Sequence, residues 1–197
     1  MTGPDLRLRG RRRVYSGWNS VDEITVEVAS ADGETIVHDR VVVDHGHAVA
    51  VLPVDPGRRT ALLVRQWRAP LVGTDDDPFL LEACAGIIDP GEMPEAAVRR
   101  EAEEEMGIHL GDLEEMGRVI MSPGALTETI RLFHATFGDA SRIADGGGLD
   151  HEGEVIEIVE LPLDELYGLV RSGALLDAKT VILIQMLMLR EGAQATD

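Results

Sequence analysis

The stretch GIIDPGEMPEAAVRREAEEEMGI, residues 86–108, decides the fold of this chain. Its start is rich in glycine, which is typical of a turn, and Pro94 suits the first turn of a helix. Gly107 is the kind of residue that ends a helix in the left-handed conformation. The stretch therefore predicts a turn followed by one helix, from about Met93 to Met106.

The predicted helix combines an apolar stripe with acidic residues beside it. Apolar residues recur every four positions from Val98 to Met106 and would form its buried side. Glu101 and Glu105 have the same spacing and fall on one flank of that stripe, whereas Glu104 points further towards solvent. Two carboxylates at a half-buried edge repel each other unless a cation lies between them. The spacing therefore favours a hard divalent metal such as Mg²⁺.

An ordinary acidic helix with a solvated face is the alternative interpretation of Glu101 to Glu105 alone. The longer pattern around these residues weighs against it. In order, with the intervening residues omitted, the pattern is Gly86, Glu92, Arg100-Glu101, Ala102, Glu104-Glu105, Gly107 and Ile108. This spacing resembles the Nudix box, and every defined position of the box is occupied.

The resemblance implies a Nudix hydrolase with an α/β (α+β) fold. In such a fold, an α/β/α sandwich with a mixed sheet follows a small N-terminal antiparallel sheet. Glu101 and Glu105 would bind metal together with the backbone carbonyl of Ala85, and Glu104 would belong to the same catalytic set. The implied cofactor is Mg²⁺, for which Mn²⁺ can substitute.

The first third of the chain predicts strands. Residues 23–30 and 35–43 are rich in β-branched residues and are separated by Asp32-Gly33, a strong hairpin signal. A second pair, 47–54 and 59–67, is joined by a turn that contains Pro and Gly. We therefore predict a small antiparallel sheet in residues 1–45 and the main domain in residues 46–197. The other predicted elements are strands over 79–85, 115–121, 130–135 and 155–161, and helices over 164–172 and about 180–190.

Short phrases outside the box resemble the Nudix branch that holds ADP-ribose and GDP-mannose pyrophosphatases. The phrases closer to the GDP-mannose enzymes are residues 82–86, 121–124, 146–148 and 179–181. The resemblance implies hydrolysis of the diphosphate of a nucleotide sugar, with GDP-mannose giving GMP and mannose 1-phosphate. ADP-ribose, which would give AMP and ribose 5-phosphate, is the rival substrate.

The same branch implies a further metal ligand in the loop 150–154. Glu154 would complete the metal shell, and Glu152 is the near alternative because this loop contains what looks like a two-residue insertion. The alternative interpretation of this loop is a flexible, solvated linker, because three successive glycines precede it.

Residues elsewhere in the chain are implied to contact substrate. These implied contacts are Trp18, Arg40, Arg68, Glu128 and Lys179. Arg68 and Lys179 would meet the phosphates, while Trp18 and Arg40 would contribute to the nucleotide site from the small sheet. Packing of that sheet is the alternative role of Trp18.

Composition limits the partners of this chain. A formal net charge of −18 repels polyanions, so neither nucleic acid nor an anionic membrane is expected as a partner. Cys84 is the single cysteine, so no intramolecular disulfide can form and a reducing compartment, the cytoplasm, is expected. The small N-terminal sheet has little core of its own, and the resemblance implies a homodimer that pairs two such sheets.

Two other classes of function stay open on the sequence. A catalytically silent Nudix module would sense a nucleotide without hydrolysing it, although the intact carboxylates argue against this class. An interaction protein would use its acidic helix as a docking surface, and a Glu105→Gln substitution would then leave its function unchanged.

Overall fold

The computed structural model describes residues 5–29, 33–148 and 155–194, and the chain forms two compact units. One unit holds the described residues up to His47 together with Ile120–Thr129. The other holds Ala48–Val119 and the residues from Ile130 onwards. Among the described residues, no helix has both the length and the apolar character needed to cross a bilayer.

A three-stranded antiparallel sheet forms the first unit. Its strands, in spatial order, are β1 (Leu6–Ser16), β2 (Ser20–Ala29) and β3 (Thr35–Asp44). The predicted small antiparallel sheet is thus confirmed.

Strand β1 is absent from the sequence-based prediction. Its arginines replace the apolar alternation that normally marks a strand. They pair instead with acidic residues of β2: Arg9 bonds to Glu27, while Arg11 and Arg13 both bond to Asp22. Cross-strand ion pairs therefore accompany the strand pairing here, and they are visible only once β1 and β2 lie side by side.

A mixed sheet and three helices form the second unit within the described residues. Its strands are β4 (Ala48–Asp55), β5 (Thr60–Trp67), β6 (Phe79–Glu82), β7 (Cys84–Ile87), β8 (Leu113–Val119), β9 (Ile130–Thr136) and β10 (Ile156–Pro162). Its helices are α1 (Pro94–Met106), α2 (Leu163–Ser172) and α3 (Ala178–Gln194). The sheet order is β10-β5-β4-β9-β8, in which β4 and β9 are parallel and the other pairs are antiparallel.

Helices cover both faces of the mixed sheet. Val49 and Val51 of β4 belong to one apolar core with the buried stripe of α1. Ala50 and Leu52 are equally buried, and they point to the opposite face because side chains alternate along a strand. Helix α3 packs against β4 and β9. The predicted α/β/α sandwich with a mixed sheet is therefore confirmed.

The prediction of one strand over residues 79–85 is wrong, because the chain changes partner at Ala83. Strand β6 pairs with β5, and β7 then pairs with β4. Strands β4 and β5 pair with each other only beside the turn that joins them, so the two short strands fill the gap where they separate. This switch brings Ala85 and Gly86 in front of α1, which packs against β7.

Candidate active site

Helix α1 carries three of the four glutamates of the box, Glu101, Glu104 and Glu105, and it has the bounds expected from its sequence. It begins at Pro94 and ends at Met106. Gly107 follows in the left-handed conformation, with φ 64°, and its N–H donates to the carbonyl oxygen of Glu103 at 3.1 Å. The local signals for the start and end of this helix are therefore confirmed.

Glu101 and Glu105 both turn towards strand β7. Glu105 is 2% exposed, and its carboxylate accepts a hydrogen bond of 3.3 Å from the backbone N–H of Ala85. The carboxylate of Glu101 lies against Gly86, so closely that a Cβ atom at residue 86 would overlap it. The two carboxylates therefore meet consecutive residues of one strand instead of facing bulk solvent.

Arg100 joins this helix to the loop before it. Its guanidinium donates to Glu92 at 3.0 and 3.1 Å and to the carbonyl oxygen of Ile87 at 3.1 Å. It also donates to Glu101 at 2.8 Å and to Glu104 at 3.0 Å. The hydrogen bonds from Arg100 hold the pKa of Glu92 below its ordinary value. Arg100 thus fixes the position of α1 relative to residues 87–92.

The box glutamates differ in exposure as the helical spacing predicts. The side chain of Glu101 is 13% exposed and that of Glu104 is 28% exposed, while Glu105 is nearly buried. Glu104 therefore lies furthest towards solvent, where Arg100 contacts it. Cys84 is buried beside the acidic pair, and its burial, followed by the negative charge of Glu105, raises the pKa of its thiol.

The donor set on β7 and α1 fits a hard divalent cation. Carboxylate and carbonyl oxygens are the ligands that Mg²⁺ prefers, and Glu101 and Glu105 bring two carboxylates to the strand that contains Ala85. Residues 5–29, 33–148 and 155–194 contain no group of three or more acidic, histidine or cysteine side chains suited to a metal. Binding of a metal by Glu101, Glu105 and Ala85 therefore stays a prediction.

The predicted ligands Glu154 and Glu152 lie outside the described residues. The segment that contains them connects Gly148 to strand β10. Both of these anchors belong to the unit that holds the acidic pair.

The glycine run 146–148 packs on the last turn of α1. The N–H groups of Gly147 and Gly148 donate to the carbonyl oxygens of Glu105 and Glu104 at 2.9 and 3.2 Å. Gly146 has φ 67°, and a Cβ atom there would lie 2.7 Å from the carbonyl oxygen of Glu105. Residues 146–148 are therefore held against α1, whereas the interpretation of the loop 150–154 as a solvated linker concerns residues outside the described ranges.

Arg68 and Lys179, the predicted phosphate contacts, converge on one buried carboxylate. Arg68 donates to the two oxygens of Glu82 at 2.6 and 2.7 Å, and Lys179 donates to the same carboxylate. Lys179 also donates to Asp177 at 2.9 Å. Burial alone would raise the pKa of Glu82, but the hydrogen bonds from Arg68 and the charge of Lys179 outweigh it and hold that pKa below its ordinary value.

Glu82 and Asp177 are missing from the residues predicted for the site. A signal for Glu82 was available, because a charged residue inside an apolar strand is almost never buried without a partner. Asp177 also has a local signal, since it lies before the helix that begins at Ala178 and accepts the backbone N–H of Thr180 at 3.0 Å. Neither signal identifies the partner, which is distant in the sequence.

Trp18, Arg40 and Glu128 belong to the N-terminal unit. Trp18 is 81% exposed, so a role as a packing anchor within its own sheet is wrong. Arg40 donates to the carbonyl oxygen of Asp39 at 2.9 Å, and Glu128 lies 2.9 Å from the ring of His45. Their contacts with substrate stay predictions.

A cavity of about 280 Å³ opens elsewhere in the second unit. Its lining includes Val54, His134, Leu187 and Arg190. None of the predicted site residues within the described ranges lines this cavity.

Comparisons with known proteins agree with this geometry. A family model described as the NUDIX domain matches residues 44–182. A GDP-mannose pyrophosphatase of Cronobacter sakazakii is 44% identical over 168 residues, which cover 85% of this chain and 86% of that protein. One of Klebsiella pneumoniae subsp. pneumoniae is 40% identical over 171 residues, covering 86% of this chain and 85% of that protein. A solved structure described as an ADP compounds hydrolase is similar in fold, with a TM-score of 0.73 at 21% identity, and the match covers 98% of this chain and 97% of that one.

Proposed function

The chain belongs to the Nudix family, and from that premise we propose that it hydrolyses the diphosphate of GDP-mannose to GMP and mannose 1-phosphate. The observation that carries this proposal is the placement of Glu101 and Glu105 against consecutive residues of β7. The choice of substrate is supported by relatives named GDP-mannose pyrophosphatase at 37% to 44% identity. The structural match to an ADP compounds hydrolase supports the fold alone, because it is 21% identical.

The proposed cofactor is Mg²⁺, with Mn²⁺ as a substitute. Glu101, Glu105 and the carbonyl oxygen of Ala85 would hold it, and Glu154 or Glu152 would add a further ligand. When bound, the metal supplies an activated water and neutralises charge on the phosphoryl oxygens.

The basic residues of the site would bind the diphosphate. The side chain of Arg68 keeps 40% of its surface exposed while it bonds to Glu82, so it can meet a phosphate oxygen at the same time. Lys179 adds a second positive charge from the first turn of α3. Positive charge placed beforehand where the leaving phosphate forms lowers the barrier to hydrolysis.

A direct comparison of substrates tests the proposed function. The protein is incubated with GDP-mannose and with ADP-ribose at the same Mg²⁺ concentration, and the products are quantified by anion-exchange chromatography. We expect a higher kcat/KM for GDP-mannose and loss of activity in EDTA that Mg²⁺ restores. An equal or higher kcat/KM for ADP-ribose would overturn the substrate, and no turnover of any nucleotide sugar would favour a nucleotide-sensing module.

A matched pair of variants tests the role of the acidic pair. Glu105→Gln removes one charge from the buried pair, and we expect kcat to fall about 100-fold or more. Glu103→Gln is the control, because Glu103 lies on the same helix with a side chain that is 44% exposed and bonds to His109. Equal activity of the two variants would contradict the metal site and favour the acidic helix as a docking surface.

We also propose that two copies of the chain pair through the N-terminal sheet. Leu6 and Ile36 both lie opposite Val28, so they share one face of that sheet, and they are 65% and 45% exposed. Leu8 is 61% exposed on the same sheet. An exposed apolar face of this kind is typical of a protein interface. Light scattering should give the mass of a dimer for the natural chain and of a monomer for Leu8→Asp.

We also propose that the protein works in a reducing compartment and acts on a small molecule. Cys84 is a buried free thiol, which supports a reducing compartment such as the cytoplasm. The formal net charge of −18 supports a small-molecule substrate, with no partnership to nucleic acid or to an anionic membrane.

A further inference from the structure

We infer that Glu82 is a positioning residue for the diphosphate: it holds Arg68 and Lys179 together so that both cations face the same phosphate group. This inference rests on the proposed function and extends it to a residue that would not itself touch the substrate. It is carried by the contacts of three elements, namely the end of β6, the residue after β5 and the first turn of α3.

The carboxylate of Glu82 provides the negative charge at the centre of this cluster. Glu82 is 1% exposed and Lys179 is 7% exposed, whereas the side chain of Arg68 is 40% exposed. Two cations this close repel each other, and a carboxylate between them offsets that repulsion. Arg68 uses two parallel hydrogen bonds to Glu82, and this arrangement fixes the plane of its guanidinium.

The cluster is also connected to the strand that holds the metal ligands. Asp177 accepts hydrogen bonds from Lys179 at 2.9 Å and from the backbone N–H of Thr180 at 3.0 Å. The hydroxyl of Thr180 in turn accepts the backbone N–H of Ala83 at 2.6 Å. Ala83 is the point where the chain passes from β6 to β7, two residues before Ala85. The cations are therefore set at a defined position relative to the acidic pair.

A purely structural ion pair is the competing explanation. It predicts that loss of Glu82 lowers stability and leaves the folded protein with normal catalysis. A positioning role predicts that part of the catalytic loss depends on Arg68, because Glu82 would act through the side chains of Arg68 and Lys179. The coupling between the two residues distinguishes these explanations.

A double-mutant cycle on the full chain tests this inference. Glu82→Gln, Arg68→Met and the double variant are compared with the natural chain by kcat and KM for GDP-mannose with Mg²⁺. We expect Glu82→Gln to lower kcat/KM by about 10- to 100-fold, because a misplaced binding group costs this much. In the Arg68→Met background the same change should lower kcat/KM by a smaller factor than in the natural chain, because Lys179 is then the only one of the two cations that Glu82 still positions.

Glu160→Gln is the matched control. Glu160 also bridges two arginines in the same unit, with N···O distances of 3.0 Å to Arg58 and 3.2 Å to Arg142, and it is outside the site. We expect its kcat/KM to stay within about twofold of the natural value, as for a surface ion pair.

A second variant covers the case in which Glu82→Gln does not fold. Glu82→Asp keeps the charge but is one methylene shorter, so it loses the paired contact with Arg68, and folding of each variant is checked by thermal unfolding. A folded Glu82 variant with natural kcat/KM overturns the inference, as do fully additive effects in the cycle. If the natural chain does not hydrolyse GDP-mannose, the proposed function fails. The double-mutant cycle is then repeated with the affinity for GDP, measured by calorimetry, in place of kcat/KM. We expect the same coupling between Glu82 and Arg68 in that affinity.

Discussion

The carboxylate of Glu101 occupies the space in which a Cβ atom of residue 86 would lie, so its position depends on the glycine at residue 86. Gly86 is not among the described glycines with positive φ. The glycine at this position therefore provides space for a carboxylate, and conformational freedom of the backbone is not what selects it.

We expect Gly86→Ala to displace the Glu101 carboxylate and to weaken metal binding. Because the backbone of residue 86 suits alanine, stability should change little while kcat falls by about 10-fold or more and the Mg²⁺ concentration for half-maximal activity rises. Activity titrated with Mg²⁺ checks this. Gly168→Ala is the control, because a Cβ atom at this position of α2 meets open space. Unchanged Mg²⁺ dependence in Gly86→Ala would contradict the metal role of Glu101.

Gly146→Ala should destabilise the protein and reduce its activity. Its φ of 67° strains an alanine, and the added Cβ would press on the backbone of Glu105 and Met106. Each such strain costs about 1–3 kcal/mol in the free energy of unfolding, which chemical denaturation measures. Gly33→Ala carries similar strain, with φ 87°, but meets open space. If both variants lose equal stability and neither loses activity, the glycine run does not support the catalytic helix.

Glu82 should make the free energy of unfolding depend on pH in the acid range. Its pKa in the folded protein lies below the ordinary value of 4.5, so its stabilising contribution is complete above about pH 4.5 and is lost as the pH falls through the lower folded value. At pH 7, Glu82→Gln should cost about 2–4 kcal/mol, a figure reduced for the exposure of Arg68. Urea unfolding from pH 7 to pH 3 should show the two proteins converging as the pH falls. A constant difference across that range would contradict the shifted pKa.

Trp18→Leu tests whether this exposed ring binds the nucleotide. Because Trp18 is 81% exposed, its loss should leave the melting temperature unchanged. Loss of stacking on a base should raise KM for GDP-mannose about 10-fold, on the order of the stacking energy of one base. A lower melting temperature with unchanged KM would indicate a packing role, for example between two copies of the chain.

Long-range contacts account for most of what sequence reasoning missed. Glu82 and Lys179 are 97 positions apart, and the sequence around one residue does not predict the other as its partner. The change of partner strand at Ala83 was missed for the same reason. A run of apolar residues has the same pattern whether it pairs with one strand or with two strands in succession. Strand β1 has a basic sequence, and its arginines bond to acidic residues of β2 that the sequence does not identify as partners.

Helix α1, its ends and the flank that carries Glu101 and Glu105 were predictable from the amino-acid sequence. These features depend on neighbours within one helical turn, so spacing and capping residues are sufficient to define them. The contacts of that flank with Ala85 and Gly86, just after the chain has changed partner strand, could not be predicted in this way. The same holds for the convergence of Arg68 and Lys179 on Glu82. Such contacts join residues far apart along the chain, and they form only when burial brings the separate elements together.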